Sequence, residues 1–275
     1  MMLHWFELVL MAIVQGVTEF LPVSSSGHLT VLGHLFGLDA DKSLSVSIFL
    51  HAGSLLAIIV FYFKLLLGFL KKEQFHLLLM IFCASIPAAV AGVTFKAAGG
   101  GETLLGSPVV TGMAFLVTGM LLRLTGKPKL LPPEEETVAL KEITFRQAVT
   151  IGLVQMVALL PGISRSGSTI SAALFCGVKR EDAAAFSFLL AIPAVAGATC
   201  FEVVELLRQT SSGNADVSLP QIIAAVVLSF LVSLGALHLM VNVVKKSRLS
   251  AFSWYLFILG AGVLIWQFLL LNGAR

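Results

Sequence analysis

Residues 22–28 read PVSSSGH and residues 161–167 read PGISRSG. Each stretch interrupts an apolar segment with proline, glycine and serine, and the reading of these two breaks decides the fold. Proline removes a backbone donor and clashes with the preceding turn, while glycine weakens a helix interior. The broken regions, about 4–36 and 144–178, divide into halves too short to cross a bilayer separately. Irregular backbone at membrane depth persists only where it is buried in protein or lines a wet cavity. Each region is therefore predicted to be a re-entrant helix–loop–helix.

The rest of the chain reads as membrane spans. Of its 275 residues 57% are apolar and only 12% charged, about half the charge of a soluble domain, and mean hydropathy is +0.97. Six segments, about 43–63, 76–96, 107–125, 183–207, 220–243 and 251–271, reach the length a spanning helix needs. The predicted class is all-α and integral to the membrane, with six transmembrane helices, two re-entrant pairs and an inverted-topology repeat. The net charge of +3 is too small and dispersed for a nucleic-acid partner. Cys83, Cys176 and Cys200 lie singly in apolar segments and read as packing residues. The N-terminus lacks the basic region and small-residue cleavage site of a secretory signal.

Basic residues test the topology. With both termini outside, the inner ends and loops collect Lys64, Lys71, Lys72, Arg123, Lys127, Lys129, Lys141, Arg146, Lys179, Arg180, Lys245, Lys246 and Arg248. The outside receives Lys42, Lys96, Arg208 and Arg275, which leaves Arg165 within the membrane. Thirteen against four follows the positive-inside rule. The chain then divides into a first repeat (1–125), a cytoplasmic connector (126–143) and a second repeat (144–275). Thr144 and Gln147 form a capping box that opens the second broken region as a helix.

A shift of 140 residues aligns the two broken regions without a gap: Gln15 on Gln155, Ser24 on Ser164, Ser26 on Ser166, Gly27 on Gly167, Gly37 on Gly177. Residues 14–57 carry nine identities in 44, concentrated at S-x-S-G. Three spans follow each break, and three is odd, so the second copy sits upside down relative to the first. Inverted repeats with broken helices place their site where the repeats meet near the midplane.

Each break leads into a helix N-terminus, where unpaired N–H groups and the helix dipole attract anions. Ser24, Gly27, Gly162, Ser164, Ser166 and Gly167 are candidate substrate-binding residues, the glycines for close backbone approach. Arg165 is a costly charge at this depth and suits a bidentate grip on a phosphoryl group; an ion pair with Glu19 that only locks the repeats is the plainer alternative. Gln15 and Glu19 share one helix face and are candidates to orient water, bind a divalent cation or act as acid and base. His28 has a pKa range suited to base or phosphoryl-acceptor work. His34 and His51 are read as structural. Ser24, Ser25 and Ser26 exceed what capping needs, and Ser25, Ser26, His28 and a water held by Glu19 or His28 are all candidate nucleophiles.

QGVTEFLPVSSSGH (15–28), PGISRSGSTIS (161–171) and FSFLLAIPAVAG (186–197) resemble the signature regions of the undecaprenyl-diphosphate phosphatase family of the bacitracin-resistance type. The resemblance covers essentially the whole chain. It implies a multi-pass enzyme of the bacterial inner membrane that hydrolyses undecaprenyl diphosphate to undecaprenyl phosphate and phosphate. That reaction recycles the lipid carrier of cell-wall synthesis and confers bacitracin resistance. The resemblance also implies a site facing the periplasm or outside, and functional roles for Glu19, Ser25, Ser26, His28 and Arg165. It implies Mg2+ or Ca2+ and no organic cofactor. Gln15 stands where many members carry glutamate, which weakens a metal site at Gln15 and Glu19. The expected partners are a polyprenyl diphosphate and the bilayer, with a homodimer as the expected assembly.

Two other readings compete. Type-2 phosphatidic acid phosphatases share S-G-H and S-R elements, but their histidine six positions after the arginine is Ser171 here. A polyprenyl-phosphate transporter or flippase would use the same anion site without chemistry.

Overall fold

The computed structural model describes residues 4–38, 40–69, 74–97, 106–131, 137–210 and 219–273, with the side chains of 40–45, 96, 97, 128, 201–210, 271 and 273 left aside. Its elements are helical: α1 (Trp5–Thr18), α2 (Ser25–Leu35), α3 (Ala40–Phe61), α4 (Phe63–Gly68), α5 (Phe75–Ala97), α6 (Pro108–Thr125), α7 (Phe145–Val157), α8 (Arg165–Phe175), α9 (Arg180–Thr210), α10 (Leu219–Lys245) and α11 (Phe252–Gly273). Among the described residues the one β contact is an isolated bridge from Val138 to Val178. It docks the connector against the turn after α8.

Five of these helices are long and apolar enough to cross a membrane, within α5, α6, α9, α10 and residues 249–270. The chain is an integral membrane protein. The sixth expected span, 43–63, falls on α3, where the apolar stretch with described side chains is shorter, Val46–Phe61. Lys71, Lys72, Arg275, the side chains of Lys42, Lys96 and Arg208, and connector residues 132–136 lie outside the described residues.

Both breaks fall where the sequence puts them. α1 stops at Thr18 and α2 starts at Ser25; α7 stops at Val157 and α8 starts at Arg165. With 14, 11, 13 and 11 residues, these helices are about 16–21 Å long, against a hydrocarbon core of about 30 Å. The capping box at α7 forms: Thr144 Oγ1 accepts the Gln147 N–H at 3.3 Å, and Gln147 Oε1 accepts the Thr144 N–H at 2.8 Å. Gly37 and Gly177 close the two second half-helices in the left-handed region, at φ 64° and 80°. α9 begins three residues before the apolar pattern, because Glu181 and Asp182 sit favourably in its first turn.

Packing runs crosswise. α1 lies on α10, α7 on α5, α3 on both α9 and α10, and α6 on α11. Small residues let backbones approach where lipid supplies no hydrophobic drive between helices. A Cβ on Gly53 would lie 2.5 Å from the Val226 carbonyl oxygen, so α3 and α10 meet at backbone distance. The largest buried cluster, which includes Phe20, Phe186, Phe188, Leu237 and Met240, sits beside the tips of the two broken pairs. That cluster fixes the position of the site.

Candidate active site

The two tips meet. Ser24 caps α2 by accepting the Gly27 N–H at 3.3 Å, and Ser164 caps α8 by accepting the Gly167 N–H at 3.1 Å. Ser24 Oγ also accepts the Gly162 N–H at 3.1 Å across 138 residues of chain. In return Ser166 Oγ donates to the Leu21 carbonyl at 3.0 Å. From α6, Thr118 Oγ1 donates to the Gly162 carbonyl at 2.9 Å and accepts the Ser164 N–H at 3.1 Å. Gly162, at φ 94°, has no room for a Cβ beside the Thr111 carbonyl and Ala114, so the crossing bond requires glycine there. Gly27 packs as closely: a Cβ would lie 2.7 Å from the Phe115 ring.

Glu19 stands at the centre of the joined tips and is 6% exposed. A buried carboxylate is tolerable only when paired and hydrogen-bonded. Glu19 Oε1 is ion-paired with Arg165 Nη2 from the other tip. Its Oε2 accepts the Ser25 hydroxyl at 2.5 Å and the Gln15 amide at 3.0 Å, with His51 Nε2 at 3.4 Å. Gln15 is itself seated by Ser54 Oγ at 3.5 Å, and Ser54 is linked to Ser229 and Ser233 of α10. The polar floor thus joins α1, α3 and α10 beneath the carboxylate.

His28, one turn into α2, is half-buried. Its Nδ1 lies 2.8 Å from the Ser24 carbonyl and its Nε2 lies 2.6 Å from the Tyr255 hydroxyl of α11. Phe115 packs edge-on against the imidazole.

Glu19, Ser25 and Arg165 are thereby brought into direct contact, with Ser24, Gly27, Gly162, Ser164, Ser166 and Gly167 forming the joint between the tips. The N–H groups of Gly27 and Gly167 are taken by the capping serines. The donors that helix geometry leaves for an anion are those of Ser25 and Ser26, and of Arg165 and Ser166. His51, read as structural, borders the Glu19 carboxylate. Neither His51 nor Tyr255 carries a local sequence signal, since each reaches the tips from a helix distant in the chain. His34 donates to or accepts from no group of the site; its Nδ1 faces the Thr30 carbonyl at 3.1 Å.

The donor set argues against a resident divalent cation. Among the described residues Glu19 is the one carboxylate at the joint, and its oxygens already meet an arginine, a histidine, an amide and a hydroxyl. The remaining acceptor of the expected pair is Gln15 Oε1, which is buried and unpartnered. One neutral oxygen beside a carboxylate held by arginine is a poor fit to the oxygen-rich shell that Mg2+ or Ca2+ takes. Among the described residues no group of three or more His, Cys, Asp or Glu side chains converges as a metal site.

A membrane-embedded bundle with two serine-capped helix N-termini meeting at one carboxylate held by a serine and an arginine defines the class: an intramembrane anion-handling protein. The chain belongs to the bacitracin resistance protein BacA family, which it matches over residues 8–262. It is similar to the undecaprenyl-diphosphatase of Alkaliphilus metalliredigens, 38% identical over 96% of this chain and 99% of that one. The undecaprenyl-diphosphatase of Carboxydothermus hydrogenoformans is 37% identical over 95% and 97%, and undecaprenyl-diphosphatase 4 of Bacillus cereus 36% over 97% and 98%. The transport reading finds no support in these names.

Proposed function

We propose that this chain hydrolyses undecaprenyl diphosphate to undecaprenyl phosphate and inorganic phosphate, with the reacting phosphoryl group held between the two tips. The single observation that carries the chemistry is the Ser25 hydroxyl, 2.5 Å from a buried carboxylate oxygen of Glu19. A hydroxyl aimed at a fixed acceptor is the arrangement of an activated nucleophile. In a loose phosphoryl-transfer transition state the proton need not leave before attack, so an acceptor in hydrogen-bond contact is sufficient.

The steps balance as follows. Ser25 Oγ attacks the terminal phosphorus, its proton passes to Glu19, and the bridging P–O bond breaks with its electron pair on undecaprenyl phosphate. Water then attacks the phosphoserine and gives its proton to His28; the Ser25 Oγ–P bond breaks, Ser25 regains its proton from Glu19, and His28 passes its proton to the departing phosphate. Arg165 uses one nitrogen on Glu19; a guanidinium carries five N–H donors, so its remaining fork is free for phosphoryl oxygens and for charge developing as the bond breaks. Ser26 and the helix N-termini complete the anion receptor. His51 and Gln15 hold Glu19 in place. No step requires a divalent cation.

The arrangement in the membrane is six spans with two re-entrant pairs in inverted repeats, 1–125 and 144–275, in the inner membrane with the catalytic tip open to the periplasm or outside. The crosswise packing supports it, since α1 on α10 and α7 on α5 exchange under the 140-residue shift. So do the matched caps at Ser24 and Ser164 and the matched left-handed glycines. Single cysteines in a cysteine-free background test it: position 37 should react with an impermeant maleimide from outside and position 179 only from inside. The reverse labelling, or labelling of both from one side, contradicts the inverted repeat. A homodimer is the proposed assembly, to be read as twice the protomer mass in a nanodisc.

The activity is tested with purified protein and a polyprenyl diphosphate. Phosphate release that is lost in Ser25→Ala supports the reading; release at the wild-type rate in Ser25→Ala sinks it.

A further inference from the structure

The imidazole of His28 is gripped at both ends, and one grip comes from the last helix. The Ser24 carbonyl can only accept, so Nδ1, 2.8 Å away, carries the proton. In neutral His28 the lone pair is then on Nε2, where the Tyr255 hydroxyl lies at 2.6 Å and donates. The two rings are parallel, 2° apart in orientation with centroids at 5.8 Å. Phe115 packs edge-on against the imidazole at 5.3 Å and limits its rotation. Tyr255 itself is 46% exposed.

Resting on the reading of His28 as a base in the proposed hydrolysis, we infer that Tyr255 is a positioning residue for His28. It fixes the Nδ1–H tautomer and directs the basic Nε2, and water enters the reaction by taking the place of the tyrosine hydroxyl at that nitrogen. Once that water has given its proton to Nε2 and attacked phosphorus, the phenol oxygen returns as acceptor of the Nε2–H and holds the imidazolium. This contact makes the last helix part of the site rather than a lipid-facing wall.

Tyr255→Phe retains the ring and removes the hydroxyl. The expected result is a kcat lower by roughly threefold to tenfold, the range of one lost hydrogen bond, with KM unchanged because the hydroxyl does not hold substrate. In a His28→Ala background the same substitution should cause no further loss. In 15N spectra of the histidine-labelled protein the His28 Nε2 signal should move toward that of a free, unbonded ring nitrogen. An unmoved signal in active Tyr255→Phe protein, a raised KM at constant kcat, or an equal loss in the His28→Ala background would overturn the inference. A wild-type rate in His28→Ala alone would instead overturn the role of His28 itself, and with it any kinetic role for Tyr255.

Discussion

Ser24 and Ser164 occupy equivalent places in the two tips, yet Ser24 sits at φ 66° and Ser164 at φ −70°. The difference follows from the residue two positions earlier. Gly162 supplies an N–H that Ser24 accepts, whereas its counterpart Pro22 has no N–H to offer Ser164. A left-handed conformation is costly for serine, and the cross-tip bond with the cap holds it there. The other equivalences diverge in the same direction. Glu19 faces Leu159 in the alignment, Ser25 faces Arg165, and His28 faces Ser168. The first tip therefore carries the carboxylate, hydroxyl and imidazole, and the second contributes the guanidinium and the joint. One reaction centre is assembled from two similar scaffolds, each incomplete alone.

The largest expected effect of breaking this division is at Arg165. Arg165→Ala leaves Glu19 buried and unpaired, a cost of about 3–5 kcal/mol, and it also removes the phosphate grip. Hydrolysis should fall by about a thousandfold or more, with Arg165→Lys intermediate because it lacks the fork. Phosphate release within tenfold of wild type in Arg165→Ala would show that the second tip is only structural.

The glutamine pair comes next. Gln15 is tied to Glu19 and Ser54, whereas the equivalent Gln155 is buried with neither amide atom partnered. Gln155→Leu should be neutral or raise thermal stability by about 1 kcal/mol, because an unsatisfied buried amide is removed. Gln15→Leu should lower activity by roughly tenfold, since Glu19 loses a charge-assisted donor. Parallel melting curves and rates decide it; equal losses at both positions would erase the distinction between the tips.

The breaks themselves were legible because Pro, Gly and Ser announce where an apolar helix stops, and the S-x-S-G spacing marks both caps. Arg165 with Glu19 was also legible, since a charge at that depth needs a partner. His51 and Tyr255 were not. Each lies on an apolar helix whose own pattern says only that it packs, and each reaches the site through tertiary contact. The short helix α4 carries no separate sequence signal for a related reason, as its apolar sequence FKLLLG merges with the end of α3.

The smallest effect is at His51. His51→Gln retains a donor toward Glu19 and should cost under threefold in kcat, whereas His51→Ala should cost a few-fold. Indistinguishable rates for the two variants would remove His51 from the support of Glu19.

The most direct test of the central claim is to quench the reaction early with substrate labelled in its terminal phosphate and map the label. Label on the peptide containing Ser25, absent from Ser25→Ala and abolished with Arg165→Ala, is the predicted result. Label on His28 or Ser26, or inversion of configuration at phosphorus with no labelled protein, would contradict it.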